Sequence, residues 1–169
     1  MSESDPLELV ARPVTPEDLA PIRALHARAF GPGRFARTAY RIREGAAEIS
    51  PHCRVGLVHG KIAAAVRFTP IRIGGKGGVL LLGPLAVDPG FANRGYGRGL
   101  VARALDDARA HGIALVVLVG DEPYYAKLGF RRVPPGRIAL PGPVDPNRLL
   151  AVDLTPGALE RYAGSAGRA

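Results

Sequence analysis

The stretch over residues 82–105 constrains the fold of this chain more than any other. An apolar run over residues 79–87 is interrupted by Gly83-Pro84. Such a run predicts a strand buried on both faces, and the proline, which has no N–H to donate, predicts a bulge or splay. A glycine-rich segment over residues 94–99 follows, and apolar residues at helical spacing continue over residues 100–108. A buried strand therefore leads through a glycine-rich turn into the N-terminus of a helix.

The start of that helix is predicted to bind a phosphate. The first N–H groups of a helix have no internal partners, and the aligned peptide dipoles place partial positive charge there. Glycines at positions 95, 97 and 99 let the backbone approach an anion, and Arg94 and Arg98 add full charges. The alternative is a tight strand-to-helix connection in which the glycines serve packing alone. The third glycine of a dinucleotide-binding motif and the Gly-Lys-Ser/Thr of a P-loop are both missing.

Two motifs resemble signatures of the GNAT superfamily of acyl-CoA-dependent N-acyltransferases. Residues 92–97, Ala-Asn-Arg-Gly-Tyr-Gly, are similar to the coenzyme A signature Q/R-x-x-G-x-G/A, except that Ala92 replaces the Gln or Arg. Residues 125–130, Tyr-Ala-Lys-Leu-Gly-Phe, are similar to the family's Y-x-x-x-G-F and follow the apolar run over residues 113–119. Their order and spacing look like the bacterial YhbS-type branch, and the resemblance covers roughly residues 8–155.

The order of the predicted elements indicates a mixed α/β sheet. Its six or seven strands would be mostly antiparallel, and the resemblance adds a splayed central strand pair and about four flanking helices. A doubly wound parallel fold is the alternative, but too few crossover helices follow residue 50 for it. The chain is predicted to form one acyl-CoA N-acyltransferase domain over residues 1–169. Its ordered core would cover about residues 8–155, and residues 157–169 would form a loosely held tail.

The N-terminal part predicts a strand over residues 7–12 and two helices. The first helix starts at a capping box in which Thr15 is the N-cap and Asp18 reaches back to it, and it runs to Phe30. A weaker helical pattern covers residues 35–48. In the family that this chain resembles, the first helices border the acceptor site.

The remaining elements are mostly strands. A hairpin is predicted to turn at His59-Gly60, and the proline-rich segment over residues 134–146 is predicted to be a loop over one end of the site. The predicted strands cover residues 54–58, 62–73, 113–119, 130–133 and 149–154, and a short helix covers residues 123–128.

The resemblance implies acetyl-CoA, or coenzyme A, as co-substrate and no metal. The central strand beyond its bulge would offer backbone hydrogen bonds to the pantetheine arm, and the glycine-rich turn would hold the pyrophosphate. The cofactor-binding residues implied in this way are Leu85, Ala86, Val87, Asn93, Arg94, Gly95, Tyr96, Gly97, Arg98 and Gly99.

Tyr125 stands at the family's position for the general acid, which would protonate the departing thiolate. The alternative is a core aromatic residue, and Tyr124 is expected to pack elsewhere. Residues 79–87 contain no ionisable side chain that could act as the base. Asp121 is the candidate for that role, although an aspartate at such a position more commonly caps a helix. Further candidates are Glu122, His52 and His59.

Charge and cysteine content narrow the function classes. The net charge is +8, but only three of the 23 basic residues are lysines and the arginines are scattered, which argues against nucleic-acid binding. Cys53 is the only cysteine, so no intramolecular disulfide forms and a reducing compartment is compatible. The N-terminus lacks a signal-peptide pattern, and no apolar run is long enough for a membrane span. We expect a cytoplasmic protein.

The predicted activity is transfer of an acetyl group from acetyl-CoA to a primary amine of a small molecule or a protein. The sequence leaves the acceptor open, and a homodimer could complete its site. The alternative is a non-catalytic acyl-CoA-binding regulatory module on the same fold. A third interpretation, an arginine-rich nucleic-acid binder, would need arginines gathered on one face.

Overall fold

The computed structural model describes residues 8–30 and 45–169, and the statements below concern this part of the chain. Most of the second predicted helix, over residues 35–48, therefore lies outside the described residues. Its last four residues, 45–48, form turn and bend structure rather than helix.

One mixed sheet forms the centre of the fold, which confirms the predicted fold class. The strands are β1 (Leu9–Pro13), β2 (Arg54–Val58), β3 (Lys61–Ile73), β4 (Lys76–Val87), β5 (Leu115–Val119), β6 (Arg131–Arg132), β7 (Ile138–Ala139), β8 (Leu149–Asp153) and β9 (Gly164–Arg168). Along the main path of the sheet the strand order is β1-β2-β3-β4-β5-β8-β6, while β9 pairs with β3, and β7 pairs with β9. Antiparallel pairs predominate, and β4–β5 is the parallel pair on the main path.

The described α-helices are α1 (Leu19–Phe30), α2 (Tyr96–Ala110) and α3 (Glu122–Ala126). A 3₁₀ turn over Pro16–Asp18 leads into α1. The Asp18 carboxylate accepts hydrogen bonds from the backbone N of Thr15 at 2.8 Å and from its hydroxyl at 3.0 Å, so the predicted capping-box pair is present.

Helix α2 covers one face of the sheet. Its buried side chains lie on a single stripe and contact apolar residues of β1, β3, β4, β5 and β8. The helix ends at Ala110 with His111 as its C-cap, and Gly112 follows with φ of 86°, a left-handed conformation that favours glycine. The buried side chains of α2 are Tyr96, Leu100, Val101, Ala104, Leu105 and Ala108.

The opposite face is covered by α1 at one end and by the C-terminal segment at the other. The prediction that residues 157–169 form a loosely held tail is wrong. A 3₁₀ helix, Ala158–Arg161, buries Leu159 against the sheet, and β9 pairs with β3. The Tyr162 hydroxyl donates a 2.6 Å hydrogen bond to the carbonyl of Gly77. The segment is ordered because its apolar side chains cover the part of this face beyond α1.

The proline-rich segment over residues 134–146 lies on that same C-terminal side. It contains β7, which pairs with β9, and Ile138 is buried in the apolar cluster beneath them. The segment was predicted to be a loop, and two of its residues instead extend the sheet. Its position is set by pairing with residues that follow it in the chain by more than twenty positions, which the local sequence does not indicate.

The predicted bulge lies at Gly83-Pro84. In the β3–β4 register Phe68 is opposite Leu82 and Val66 is opposite Leu85, so two residues of β4 stand against one of β3. Before the bulge Leu82 faces α2, and after it Leu85 faces the same side. The extra residue thus reverses the alternation of side chains along β4.

The predicted splay is also present. Strands β4 and β5 pair only from Val79–Leu115 to Leu81–Val117, whereas β5 continues to Val119 in register with β8. Beyond Leu81, therefore, the two central strands separate. Within residues 8–30 and 45–169, the backbone edge of β4 that faces β5 has no strand partner from Leu82 onward.

Candidate active site

A cavity of about 740 Å³ occupies the gap between β4 and β5. This volume lies within the usual range for sites that hold small molecules. One wall is β4 beyond the bulge, and the other is the end of β5 with the start of α3. Helix α1, residues 45, 46 and 48, strand β3 and Arg148 contribute most of the remaining described wall. The residues that line the gap from the two strands are Leu82, Gly83, Pro84, Leu85, Val87, Leu118, Val119 and Gly120.

The N-terminus of α2 lies just beyond the β4 end of this cavity. Gly95 is the N-cap with φ of 79°, and it carries no side chain that could accept the first N–H groups of the helix. Asn93 also has a positive φ, 62°, so the turn before the helix is tightly wound. The first N–H groups of α2 are therefore available to an external anion.

The predicted cofactor-binding residues fall into two groups. Leu85 and Val87 line the cavity, while the Ala86 side chain faces α1 and packs with Leu25, so only its backbone can face the gap. Residues 93–99 do not line the cavity and instead form the turn and first helical turn next to Val87.

The Tyr96 side chain is directed into the protein and not toward the predicted phosphate site. It is buried, and its hydroxyl donates a 2.8 Å hydrogen bond to the carboxylate of Glu8. This hydrogen bond raises the pKa of Tyr96. Tyr96 can thus contribute only its backbone N–H to the predicted phosphate site. Arg94 is exposed and Arg98 is half-buried, which leaves both guanidinium groups at the surface of the turn.

Both tyrosines of α3 line the cavity. The rings of Tyr124 and Tyr125 are 4.9 Å apart and nearly perpendicular, and Tyr125 also contacts Phe130 edge-on at 5.6 Å. Burial raises the pKa of Tyr124, and the nearby Arg98 partly opposes that effect. The expectation that Tyr124 packs elsewhere is wrong, because the short helix directs both neighbouring residues toward the gap.

Charged side chains also line the cavity, and no local sequence pattern indicates them. Arg23 of α1 forms a 2.6 Å ion pair with Glu48, and both line the cavity. Arg67 of β3 and Arg148 line it as well. These residues come from four separate parts of the chain, so only the fold brings them together.

The predicted base candidates are separated by the fold. Asp121 lines the cavity as the N-cap of α3, with an exposed side chain that makes no capping hydrogen bond. Glu122 instead accepts a 2.8 Å hydrogen bond from Arg132. His52 and His59 are not among the lining residues: His59 lies in the β2–β3 turn, and His52 contacts His111.

Neither a metal site nor a membrane-spanning helix is present among the described residues. Residues 8–30 and 45–169 contain no group of three His, Cys, Asp or Glu side chains that could hold a metal ion. The helices described here are also too short or too polar to cross a membrane. No residue of the proline-rich segment 134–146, all of which is described, lines the cavity, so its predicted place over the site is wrong.

Comparison with known proteins agrees with this geometry. The acetyltransferase (GNAT) family matches residues 19–130, which is more than half of the chain. The chain belongs to the GNAT family. Its splayed β4–β5 pair and the α2 N-terminus are the parts of the GNAT fold that the sequence motifs predicted, and the predicted resemblance is confirmed.

Individual GNAT proteins are similar over most of the chain. The uncharacterised N-acetyltransferase YhbS of Escherichia coli (strain K12) is 31% identical over 127 residues, covering 72% of this chain and 73% of YhbS. The crystal structure of E. coli YhbS in complex with CoA has a TM-score of 0.81 and 26% identity, over 96% of this chain and 90% of that one. A GNAT acetyltransferase from Brucella melitensis in complex with acetyl-CoA has a TM-score of 0.61 and 27% identity, over 89% and 97% of the two chains.

Membership of this family makes the chain an acyl-CoA-dependent acetyltransferase, and the prediction of that enzyme class is confirmed. The predicted co-substrate agrees with the CoA and acetyl-CoA held by the solved relatives. The roles of single residues stay predictions and are developed below.

Proposed function

We propose that this protein transfers an acetyl group directly from acetyl-CoA to a primary amine of a small molecule or a protein. The observation that carries the proposal is the cavity in the splay between β4 and β5, which ends beside the N-terminus of α2. A long, phosphorylated thioester needs such a site, with an extended backbone edge for its arm and N–H groups for its phosphates. The bound CoA and acetyl-CoA of the two similar structures support it.

The pantetheine arm would add to the open edge of β4. Because β5 leaves β4 after Leu81, the backbone groups of Leu85, Ala86 and Val87 on that edge have no strand partner. One of their N–H groups would polarise the thioester carbonyl and stabilise the developing oxyanion. The pyrophosphate would bind the N–H groups of residues 95–99, with Arg94 and Arg98 adding charge. Asn93, with its positive φ, would shape the turn that directs the N–H groups of residues 95–99 toward the pyrophosphate.

The transfer requires one bond to form and one to break. The neutral amine attacks the carbonyl carbon, the C–S bond of the thioester breaks, and the CoA thiolate leaves. Tyr125, on the α3 wall of the cavity, would donate its phenolic proton to that thiolate. The proton lost by the amine would go to a carboxylate, for which Asp121 at the cavity wall is the proposed acceptor. Glu48 is a second carboxylate on the same cavity.

Location and assembly stay predictions. The single buried cysteine is compatible with a reducing, cytoplasmic setting. A homodimer that completes the acceptor side of the cavity would be detected as a change in oligomeric state between dilute and concentrated solutions of the protein.

The first test combines ligand binding with turnover. The melting temperature is measured with acetyl-CoA, coenzyme A, NAD and ATP added separately, since a ligand at a hundred times its Kd adds about 2.7 kcal/mol of stability. Thiol release is then followed with a panel of amines. Stabilisation by the two coenzyme A compounds, with amine-dependent thiol release, is the expected result. Stabilisation without turnover on any amine would favour the acyl-CoA-binding module.

A matched pair of variants locates the cofactor. Gly97→Glu places a carboxylate in the first turn of α2 and should abolish binding of coenzyme A. Gly77→Glu is the control, because a side chain at Gly77 meets no atom within 4 Å at the far end of β4. Retained affinity in Gly97→Glu would contradict the assignment of the turn.

A further inference from the structure

Arg67 carries a hydrogen-bond donor that the described protein leaves unused. Its side chain lines the cavity, and its Nη2 donates a 3.0 Å hydrogen bond to the carbonyl of Ala47. Its Nε is buried, and within residues 8–30 and 45–169 it has no hydrogen-bond partner. A buried donor without an acceptor is costly, so an acceptor that arrives with a ligand is favoured there.

Arg67 also has no ion-pair partner among the described residues. The two carboxylates that the described residues place on the cavity are Glu48 and Asp121, and Glu48 is paired with Arg23 at 2.6 Å. No ion pair joins Arg67 to a described acidic residue. A partly buried cation of this kind is stabilised by an anion.

A second buried polar atom without a hydrogen-bond partner among the described residues lies on the same face of β3. Thr69 is buried, and its hydroxyl likewise has no partner among the described residues. Residues two apart in a strand point to the same side, so Thr69 stands next to Arg67 along β3. The described part of β3 therefore presents two buried polar atoms without a hydrogen-bond partner, Arg67 Nε and Thr69 Oγ1, on the face toward α1.

The register fixes where Arg67 stands relative to the chemistry. It lies between Val66, opposite Leu85, and Phe68, opposite Leu82, so its backbone faces the bulge at Gly83-Pro84. The proposed thioester site begins at that bulge. The Arg67 side chain therefore starts from a backbone position beside the bulge. Its guanidinium is no farther from the proposed position of the acetyl group than the length of an arginine side chain.

We infer that the acetyl acceptor is a small amine that carries a carboxylate, and that Arg67 binds this carboxylate. The inference rests on the proposed function and names its substrate class. A guanidinium binds a carboxylate through charge-assisted N–H bonds, and Arg67 has N–H groups that its hydrogen bond to Ala47 does not use. Because a single guanidinium stands close to the bulge, the carboxylate and the amine are separated by only a few carbon atoms, as in an amino acid.

The test uses pairs of acceptors that differ only in charge. Thiol release from acetyl-CoA is measured with amino acids, β-alanine and 4-aminobutyrate, and with the corresponding amides. The acids should show kcat/KM about tenfold or more above their amides. Arg67→Met should bring the acid-to-amide ratio of kcat/KM close to one, with the loss on the acids mainly in KM. Arg67→Lys should keep an intermediate preference.

Arg72→Met is the matched control, since Arg72 lies on the same strand, is exposed and is outside the cavity lining. It should keep the full preference for acids. Binding is measured separately as the melting temperature of the CoA-loaded protein with N-acetyl-β-alanine or its amide. A shift with the acid alone that is lost in Arg67→Met would support the inference whatever the turnover.

Three outcomes would overturn the inference that Arg67 binds a carboxylate of the acetyl acceptor. The amides could be acetylated as well as the acids, the acid preference could survive Arg67→Met, or phosphoethanolamine could be preferred to every carboxylate. In each of these cases acetyl transfer itself stands. If no amine is acetylated, the proposed function fails, and the acid-against-amide melting shift then decides the inference by itself.

Discussion

The hydroxyl of Tyr124 lies against the first turn of α2 at Gly97. A Cβ placed on Gly97 would be 2.7 Å from the Tyr124 hydroxyl oxygen and 2.9 Å from Cγ2 of Val87. The contact joins α3, on one wall of the cavity, to the helix terminus that lies just beyond the β4 wall. It also requires glycine at position 97, because any side chain there would displace Tyr124 or Val87. The two tyrosines of α3 thus differ in surroundings: Tyr124 reaches the proposed phosphate turn, while Tyr125 packs beside Gly120 and Phe130.

This difference predicts separate effects for two Tyr-to-Phe variants. Tyr125→Phe should lower kcat about a hundredfold, because the thiolate loses its proton donor, and leave the Kd of coenzyme A within about twofold. Tyr124→Phe should instead weaken coenzyme A binding and lower kcat less. Steady-state kinetics and calorimetric titration with coenzyme A measure both. Equal losses of rate and affinity in Tyr125→Phe would indicate a structural role.

The two cavity carboxylates can be compared as bases. Asp121→Asn should lower kcat/KM about tenfold to a hundredfold, mainly through kcat, because the neutral side chain cannot take the amine proton. Glu48→Gln should release Arg23 and raise KM with little change in kcat. Steady-state kinetics of both variants with one amine acceptor provide the measurement. The reverse pattern would assign the base to Glu48.

The Arg12–Asp18 pair predicts a pH-dependent contribution to stability. Arg12 donates two hydrogen bonds to the Asp18 carboxylate, at 2.7 and 2.9 Å, and holds the pKa of this buried group well below its usual range. A lowered carboxyl pKa stabilises the fold above the unfolded value near 3.9, and the contribution is lost as pH falls through the folded value. Asp18→Asn should therefore lower the free energy of unfolding by about 2–3 kcal/mol at pH 7.

Urea unfolding at pH 7, 5, 4 and 3 tests this prediction, and the gap between wild type and Asp18→Asn should narrow below about pH 4. Asp106→Asn serves as control, because that exposed i,i+3 pair with Arg109 should contribute less than about 0.5 kcal/mol. A gap that stays constant down to pH 3 would mean that the Asp18 charge does not account for the effect.

The C-terminal segment should contribute to global stability. Leu159 is 2% exposed in the cluster beneath β9, and Leu159→Ala should cost about 2–4 kcal/mol through lost burial and the cavity left behind. Val10→Ala, at a side chain that is 59% exposed, should change stability by less than about 0.5 kcal/mol. Both are measured by denaturant unfolding. Similar values for the two variants would show that residues 158–168 fold independently of the sheet.

Much of the fold and part of the site could be read from local patterns. The bulge at Gly83-Pro84 and the glycine-rich start of α2 each depend on residues adjacent in the chain. Backbone chemistry at these positions, a missing N–H or a missing Cβ, restricts the local conformation strongly enough for the sequence alone to indicate it. The capping box at Thr15 and Asp18 belongs to the same class.

Contacts between distant residues had to come from the tertiary structure. The order of the C-terminal segment depends on pairing of β9 with β3, and the ion pair of Arg23 with Glu48 joins residues 25 positions apart. The place of Arg67 opposite the bulge follows from the β3–β4 register. The sequence by itself determined the strand break and the helix terminus between which the acyl-CoA site is proposed, because both are local features. Which side chains surround the proposed acceptor site was decided only by the fold, because burial and charge pairing depend on segments that meet in space.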